Sequence, residues 1–322
     1  MSDFRTIPDR LLIAIGGNAI HPENIKGTPE EQIDIALTMG RALVPIMTLG
    51  NELIITHGNG PVVGKIHLRQ ALSRHRVEPM SLDICVAHSQ GGIAYLLMQA
   101  LENALREIGN KRHVVCLLTQ VEVDPDDPAF KNPTKPIGMF YDEAEAKAVA
   151  AELGWEMREE KGRGWRHVVP SPRPKHIVDI SLIRALAKHG AVVIAGGGGG
   201  IPVVRRSNGM RYGVEAVIDK DLTSAHMARV LDIDTMMILS PVSRVAVDYG
   251  TPQQRDLSAG TVSQMKALHA QGHFPPGSMG PKVEAAIRFV EMGGKRCIIG
   301  HLNEALPALR GETGTHIVAD HA

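Results

Sequence analysis

Three lysines in restrictive local settings could put positive charge to use. They are Lys135 in Asn132-Pro-Thr-Lys-Pro-Ile-Gly138, Lys220 in Ile218-Asp-Lys-Asp-Leu222, and Lys282 in Gly277-Ser-Met-Gly-Pro-Lys282. Four glycine-rich turns accompany them: Gly16-Gly-Asn-Ala19, His57-Gly-Asn-Gly-Pro61, the run Gly196 to Gly200, and the stretch Gly277 to Pro281. Glycine lets backbone N–H groups approach an anion closely, a following helix adds its positive end, and lysine adds a point charge. Together these residues point to phosphate handling. No segment matches G-x-x-x-x-G-K-[ST], so a nucleotide would be held by several separated turns rather than by one Walker-type loop.

Each feature also has an ordinary reading. Pro281 suits the first position of a helix, which puts Lys282 in its first turn, where a cation opposes the helix dipole by roughly 0.3–1 kcal/mol. An anion bound at that end would reverse the sign; a solvated surface lysine is the alternative. Asp219 and Asp221 can cap a helix and steer the Lys220 ammonium, or simply cap it beside an exposed lysine. Pro133 and Pro136 restrict the backbone that presents Lys135. Glycines often serve only to leave a strand. Their repeated placement at the ends of strand-like runs favours a ligand, because ligands of open α/β sheets gather at that edge. Asn18 and Asn59 could donate there or close Asx turns.

The elements that must position these residues alternate. Short apolar runs at Leu11 to Ile15, Glu52 to Thr56, His113 to Thr119, Ala191 to Ala195, Thr235 to Leu239, Arg296 to Ile299 and His316 to Val318 predict strands. Amphipathic stretches at Pro29 to Leu49, Pro61 to Arg74, Asp83 to Ile108, His176 to His189, Lys220 to Leu231, Val262 to Ala270 and Pro281 to Met292 predict helices. This order is the signature of an α/β fold with a mainly parallel sheet covered on both faces. Residues 122–174 break the rhythm. They are rich in Pro, Asp, Lys and Arg, carry a helical pattern at Asp142 to Leu153, a strand-like Trp165 to Val169 and both tryptophans, and are expected to form a protruding lid subdomain.

Composition narrows the function classes. Thirty-five basic and thirty-five acidic residues balance, and aromatic content is 3%, which argues against a nucleic-acid footprint or an anionic membrane surface as partner. Cys85, Cys116 and Cys297 lie far apart without ligand spacing and read as buried thiols in a reducing compartment. With a charged N-terminal segment and no apolar stretch of about 18 residues, a cytoplasmic location is expected. Fifteen histidines lack H-E-x-x-H, so no metal-ligand set is assigned. Ser89 lacks the G-x-S-x-G turn of a hydrolase.

The ordered set Ala-Ile-Gly-Gly-Asn-Ala, Ile-Thr-His-Gly-Asn-Gly-Pro, Ser-Gln-Gly, Asn-Pro-Thr-Lys-Pro-Ile-Gly, Val-Val-Pro-Ser-Pro, Gly-Gly-Gly-Gly-Ile-Pro-Val, Glu-Ala-Val-Ile-Asp-Lys-Asp and Pro-Gly-Ser-Met-Gly-Pro-Lys-Val-Glu-Ala-Ala resembles the carbamate kinase family of the amino-acid kinase superfamily. The resemblance implies a three-layer αβα sandwich with a protruding lid subdomain, a homodimer, ATP/ADP as substrate with Mg2+, and carbamate and carbamoyl phosphate as the other substrates. It further implies ATP formation in nitrogen-compound catabolism such as arginine metabolism. Residues 1–190 would form the acceptor-side lobe and residues 191–322 the nucleotide-side lobe. Gly16, Gly17, Asn18, Gly58, Asn59 and Gly60 would hold the transferring group, and Lys135 would reach in from the lid. Lys220 and Lys282 would bind phosphates, with Asp221 orienting the lysines. Gly198, Gly199, Gly277, Ser278, Met279 and Gly280 would complete the nucleotide side. Two places depart from the family pattern: Leu239-Ser-Pro-Val-Ser-Arg-Val245 on the expected nucleotide side, and His88 before Ser89, expected near the acceptor side. The rival readings are a kinase of this fold acting on another small acid and a nucleotide-binding regulatory paralogue.

Overall fold

The computed structural model describes residues 4, 6–22, 25–160, 162–275 and 279–320. Strand Arg10–Ile15 lies at the centre of an eight-stranded sheet, paired in parallel with Glu52–His57 on one side and Thr235–Ser240 on the other. Val192–Ile194 and then Val114–Cys116 extend the first side, while Arg296–His301, Thr315–Val318 and Ala259–Thr261 extend the second. Every pairing is parallel except that of Arg296–His301 with Thr315–Val318.

Side chains alternate across a strand, and the central runs are apolar on both faces because both are covered. Leu11, Ile13 and Ile15 join a core with Met39, Leu43, Leu97 and Leu101 from helices Pro29–Met47 and Leu82–Glu107. Leu12 and Ala14 face Met227, Ala228, Val283 and Ile287 from helices Lys220–Val230 and Met279–Glu291. Those two clusters make the three layers of an αβα sandwich. Helix Pro29–Met47 starts where Thr28 and Glu31 form a reciprocal capping box.

A second, four-stranded sheet runs in the order Arg211–Gly213, Ile201–Arg205, Gln120–Val123, Pro174–Ile177. Its last pair is antiparallel and brackets the inserted segment. Within that segment, strands Lys135–Tyr141, Gly164–Val169 and Met157–Glu160 form a three-stranded antiparallel sheet, accompanied by helix Glu143–Leu153. Glycine ends that helix at Gly154 with φ 69°, a left-handed cap that a side chain would disfavour.

Two sequence expectations need correction, and one strand was not anticipated. His176 belongs to strand Pro174–Ile177, and the helix expected there runs only from Ile180 to Lys188, because pairing with Gln120–Val123 claims the preceding backbone. Asp179 makes the break at φ 57°. Pro281 is third, not first, in helix Met279–Glu291, since Gly280 N–H already bonds Pro275 O at 3.0 Å. Strand Ala259–Thr261 has three residues, too few to show a period.

Candidate active site

Three of the glycine turns gather at the C-terminal edge of the main sheet, after strands Arg10–Ile15, Glu52–His57 and Val192–Ile194. Gly16 follows strand Arg10–Ile15 and donates its N–H to Leu239 O at 3.0 Å, and Gly58 follows Glu52–His57 and donates to Ile15 O at 2.9 Å. These bonds lock the two turns to neighbouring strands. A Cβ on Gly58 would lie 2.6 Å from Gly17 N, so the turns touch backbone to backbone and only glycine fits. Gly60 opens helix Gly60–Ser73. Asn59 is buried and donates through Nδ2 to Ser89 Oγ at 2.8 Å, while Ser89 donates to Val86 O at 2.7 Å. Ser89 is therefore a brace for the turn.

The three lysines converge. Asp219 caps helix Lys220–Val230 by accepting from the N–H groups of Asp221 and Leu222, and its other carboxylate oxygen accepts from Lys135 Nζ at 2.5 Å. Lys220 donates to Asp221, and both side chains are buried. Lys282, in the first turn of helix Met279–Glu291, feels Asp221, Lys220, Asp219 and Lys135 electrostatically. Burial lowers its pKa, with Lys220 adding to the shift and Asp221 opposing it. Burial alone would raise the Asp219 carboxyl, but the charge and hydrogen bond of Lys135, with Lys220 behind, hold it well below the usual carboxylate range. Two of the three lysines, Lys220 and Lys282, stand in the first turns of helices, at their positive ends. An anion is the natural complement of that arrangement.

Lys135 opens the first strand of the inserted sheet, and its reach depends on how that unit sits on helix Gly60–Ser73. Contact is tightest where a Cβ on Gly64 would fall 2.0 Å from Gly138 N. Nearby, the Trp155 ring stacks on His167 at 4.1 Å and on His67 at 5.0 Å between centroids.

His57 closes the site from below. It is fully buried, its Nδ1 lies 3.1 Å from Gly58 O, and its Nε2 has no partner among the described residues. The carbonyl can only accept, so Nδ1 carries the proton and Nε2 presents a bare lone pair. Burial pushes the imidazole pKa down to about 4, and that of His167 to about 3 with help from His67. Both rings stay neutral in the native state, while the unfolded chain takes up protons near 6.5. The stability they confer is complete above that value and is lost as pH falls through 4 and toward 3. Between about pH 6.5 and 5, each should cost roughly 2 kcal/mol of folding free energy. Denaturant unfolding across that window should show the decline; a flat profile would mean that neither ring is held neutral.

The structure thus brings together Gly16, Gly17, Gly58, Asn59, Gly60, Lys135, Lys220, Asp221 and Lys282 around one sheet edge. It sets Gly198 against Asn59 and Gly199 against the Ile218 carbonyl, since added Cβ atoms would come within 2.2 Å of each. Met279 and Gly280 begin the helix that carries Lys282. Gly277, Ser278 and the Asn18 side chain lie outside the described residues; the Asn18 backbone is in the short helix Gly17–Ile20. His88 is exposed on the outer face of helix Leu82–Glu107, whereas the next residues, Ser89 and Gln90, are buried. Ser240 ends a central strand with its hydroxyl buried and unpartnered among the described residues. Sequence reasoning treated Asp219 as a cap and missed it as the partner of Lys135, a pairing between residues 84 positions apart.

Comparison with known proteins agrees with this geometry. The amino acid kinase family model matches residues 9–301. The carbamate kinase of Pyrococcus horikoshii is 48% identical over 313 residues, covering 97% of this chain and 99% of that protein. The carbamate kinase of Giardia lamblia bound to AMP-PNP superposes with a TM-score of 0.86 at 43% identity, covering 97% of this chain and 98% of that one. The same Giardia enzyme bound to citric acid gives a TM-score of 0.91 at 42% identity, with the same coverage. With a matching fold, near-complete coverage and these levels of identity, the chain belongs to the amino acid kinase family and, within it, to the carbamate kinases.

Proposed function

We propose that the chain catalyses ATP + carbamate ⇌ ADP + carbamoyl phosphate. The observation that carries this reading is the convergence of Lys135, Lys220 and Lys282 on two buried or half-buried aspartates beside paired glycine turns. Similarity to carbamate kinases supplies the acceptor. A carbamate oxygen attacks the γ-phosphorus, the bond from that phosphorus to the β,γ-bridging oxygen breaks, and its electron pair leaves with ADP. The attacking oxygen is already anionic, so no general base is required; positioning and charge compensation do the catalytic work.

In this reading Gly16, Gly17, Gly58, Asn59 and Gly60 hold the acceptor, and Lys135 covers it. Lys220 and Lys282 neutralise the phosphates, while Asp219 and Asp221 aim the ammonium groups. Both aspartates are already engaged by lysines, so Mg2+ fits as the ion that ATP carries on its phosphates, where it would draw charge from their oxygens. We assign residues 122–174 to a lid, residues 1–190 to the acceptor side and 191–322 to the nucleotide side. A homodimer through the outer face of helix Leu82–Glu107 is supported by exposed Ile84 and Tyr95 on that face and by exposed Leu118. No helix among the described residues is long and apolar enough to cross a membrane, and we place the protein in the cytoplasm with small-molecule partners.

A substrate panel tests the acceptor. Purified protein with ADP and Mg2+ should make ATP from carbamoyl phosphate with kcat/KM at least about 10-fold above that from acetyl phosphate. Efficient turnover of another acyl phosphate with none of carbamoyl phosphate would overturn the substrate and leave the kinase. ADP binding without any turnover would point instead to a regulatory protein.

A further inference from the structure

Gln90 sits 1% exposed in the middle of helix Leu82–Glu107, with its carboxamide spanning two other segments. Its Nε2 donates to Gly197 O at 2.7 Å, and its Oε1 accepts from Thr119 N–H at 2.7 Å. Thr119 in turn accepts the Gly196 N–H through Oγ1 at 2.9 Å, and Thr223 donates to Gly199 O at 2.8 Å. The glycine run is therefore held from beneath by three side chains from separate elements. Gly196, Gly198, Gly199 and Gly200 all have positive φ, between 61° and 90°, which glycine reaches readily, and such holding orders a run that has much conformational freedom to lose.

This brace has a directional effect. The peptide joining Gly197 to Gly198 is planar and trans, so its N–H points opposite to its C=O. With the Gly197 carbonyl drawn toward Gln90, the Gly198 N–H is turned away from the helix. Gly197 O also accepts from Gly200 N–H, and Gly199 N–H bonds Gly196 O, while the N–H groups of Gly197 and Gly198 have no acceptor among the described residues. Alternating left- and right-handed glycines of this kind form a concave nest of N–H groups suited to an anion. Gly198 itself abuts Asn59 of the acceptor turn. We propose that Gln90 is a positioning residue for phosphoryl transfer: by fixing the Gly197–Gly198 peptide it aims the Gly198 N–H at the oxygens of the transferring group. This assigns the run to the acceptor-side junction and rests on the kinase reading above.

Two variants separate aiming from packing. Gln90→Met fills the same volume without either hydrogen bond, and Gln90→Glu keeps an acceptor for Thr119 but loses the donor to Gly197. Both should lower kcat by about 10- to 100-fold while the KM for ADP stays within about 3-fold, because the phosphate lysines are untouched. A packing role would instead leave Gln90→Met near wild-type kcat, and that result would overturn the proposal. In glycine-15N-labelled protein, the Gly198 amide should shift when carbamoyl phosphate is added, and Gln90→Met should abolish the response. A wild-type Gly198 amide that does not respond would also overturn it. A responding amide in a wild type that makes no ATP would sink the kinase reading and the role in transfer with it, leaving only an anion site at the Gly198 N–H.

Discussion

Lys220→Ala should lower kcat by about 100- to 1,000-fold with the fold retained, the scale expected when one preorganised charge is removed from a developing anionic centre. Lys220 is buried at the start of helix Lys220–Val230, held by Asp221 and within electrostatic reach of Lys282. Its ammonium is fixed before any substrate arrives, so the charge costs no reorganisation during transfer. Lys282 and Lys135 remain in the variant and keep the aspartates from being left as uncompensated charges. Lys220→Arg should not restore activity, because a planar guanidinium cannot occupy the space of a compact ammonium beside Asp221. Steady-state kinetics with circular dichroism on the same samples checks both points. Near-normal turnover in a folded Lys220→Ala protein would remove this residue from the chemistry.

The second large effect is expected from a residue that touches no substrate. Gly64→Ala would drive its new methyl to 2.0 Å from Gly138 N and 2.1 Å from Gly138 Cα, both backbone atoms that cannot swing aside. The inserted sheet must then lift off helix Gly60–Ser73, and strand Lys135–Tyr141 carries Lys135 with it, away from Asp219. A displacement of about 1 Å at a reacting group can cost about 100-fold, so kcat/KM for carbamoyl phosphate should fall by that order. ADP affinity should change far less, since Lys220 and Lys282 lie on the main body. Hydrogen exchange in residues 135–141 should rise in the variant. Wild-type kinetics in Gly64→Ala would show that Lys135 does not depend on this contact.

Much of the fold was legible because its strands are buried on both faces and read as continuous apolar runs, as at Leu11 to Ile15 and Thr235 to Leu239. Helix starts were marked by local chemistry, as where Asp142 and Glu145 cap helix Glu143–Leu153. What escaped was set by partners distant in sequence. His176 looked helical by its apolar neighbours, yet Gln120–Val123 recruits it into a strand. The same holds at the site. Each lysine stood out through its own neighbours, but the Lys135–Asp219 contact and the Gln90 brace join positions 84 and 107 residues apart and leave no local pattern. His88 was singled out as a departure near the acceptor; helical rotation instead turns it outward, while Ser89 and Gln90 face the turns.

The central claim is that this lysine cluster moves a phosphoryl group directly between carbamoyl phosphate and ADP. Phosphorus NMR of a mixture of the protein, ADP, Mg2+ and carbamoyl phosphate follows both species at once. The account predicts that the γ-phosphate signal of ATP grows in step with the loss of carbamoyl phosphate, one for one, and that Lys220→Ala slows this exchange by about 100- to 1,000-fold. Loss of carbamoyl phosphate to inorganic phosphate without ATP, or ATP formation undiminished in Lys220→Ala, would contradict it.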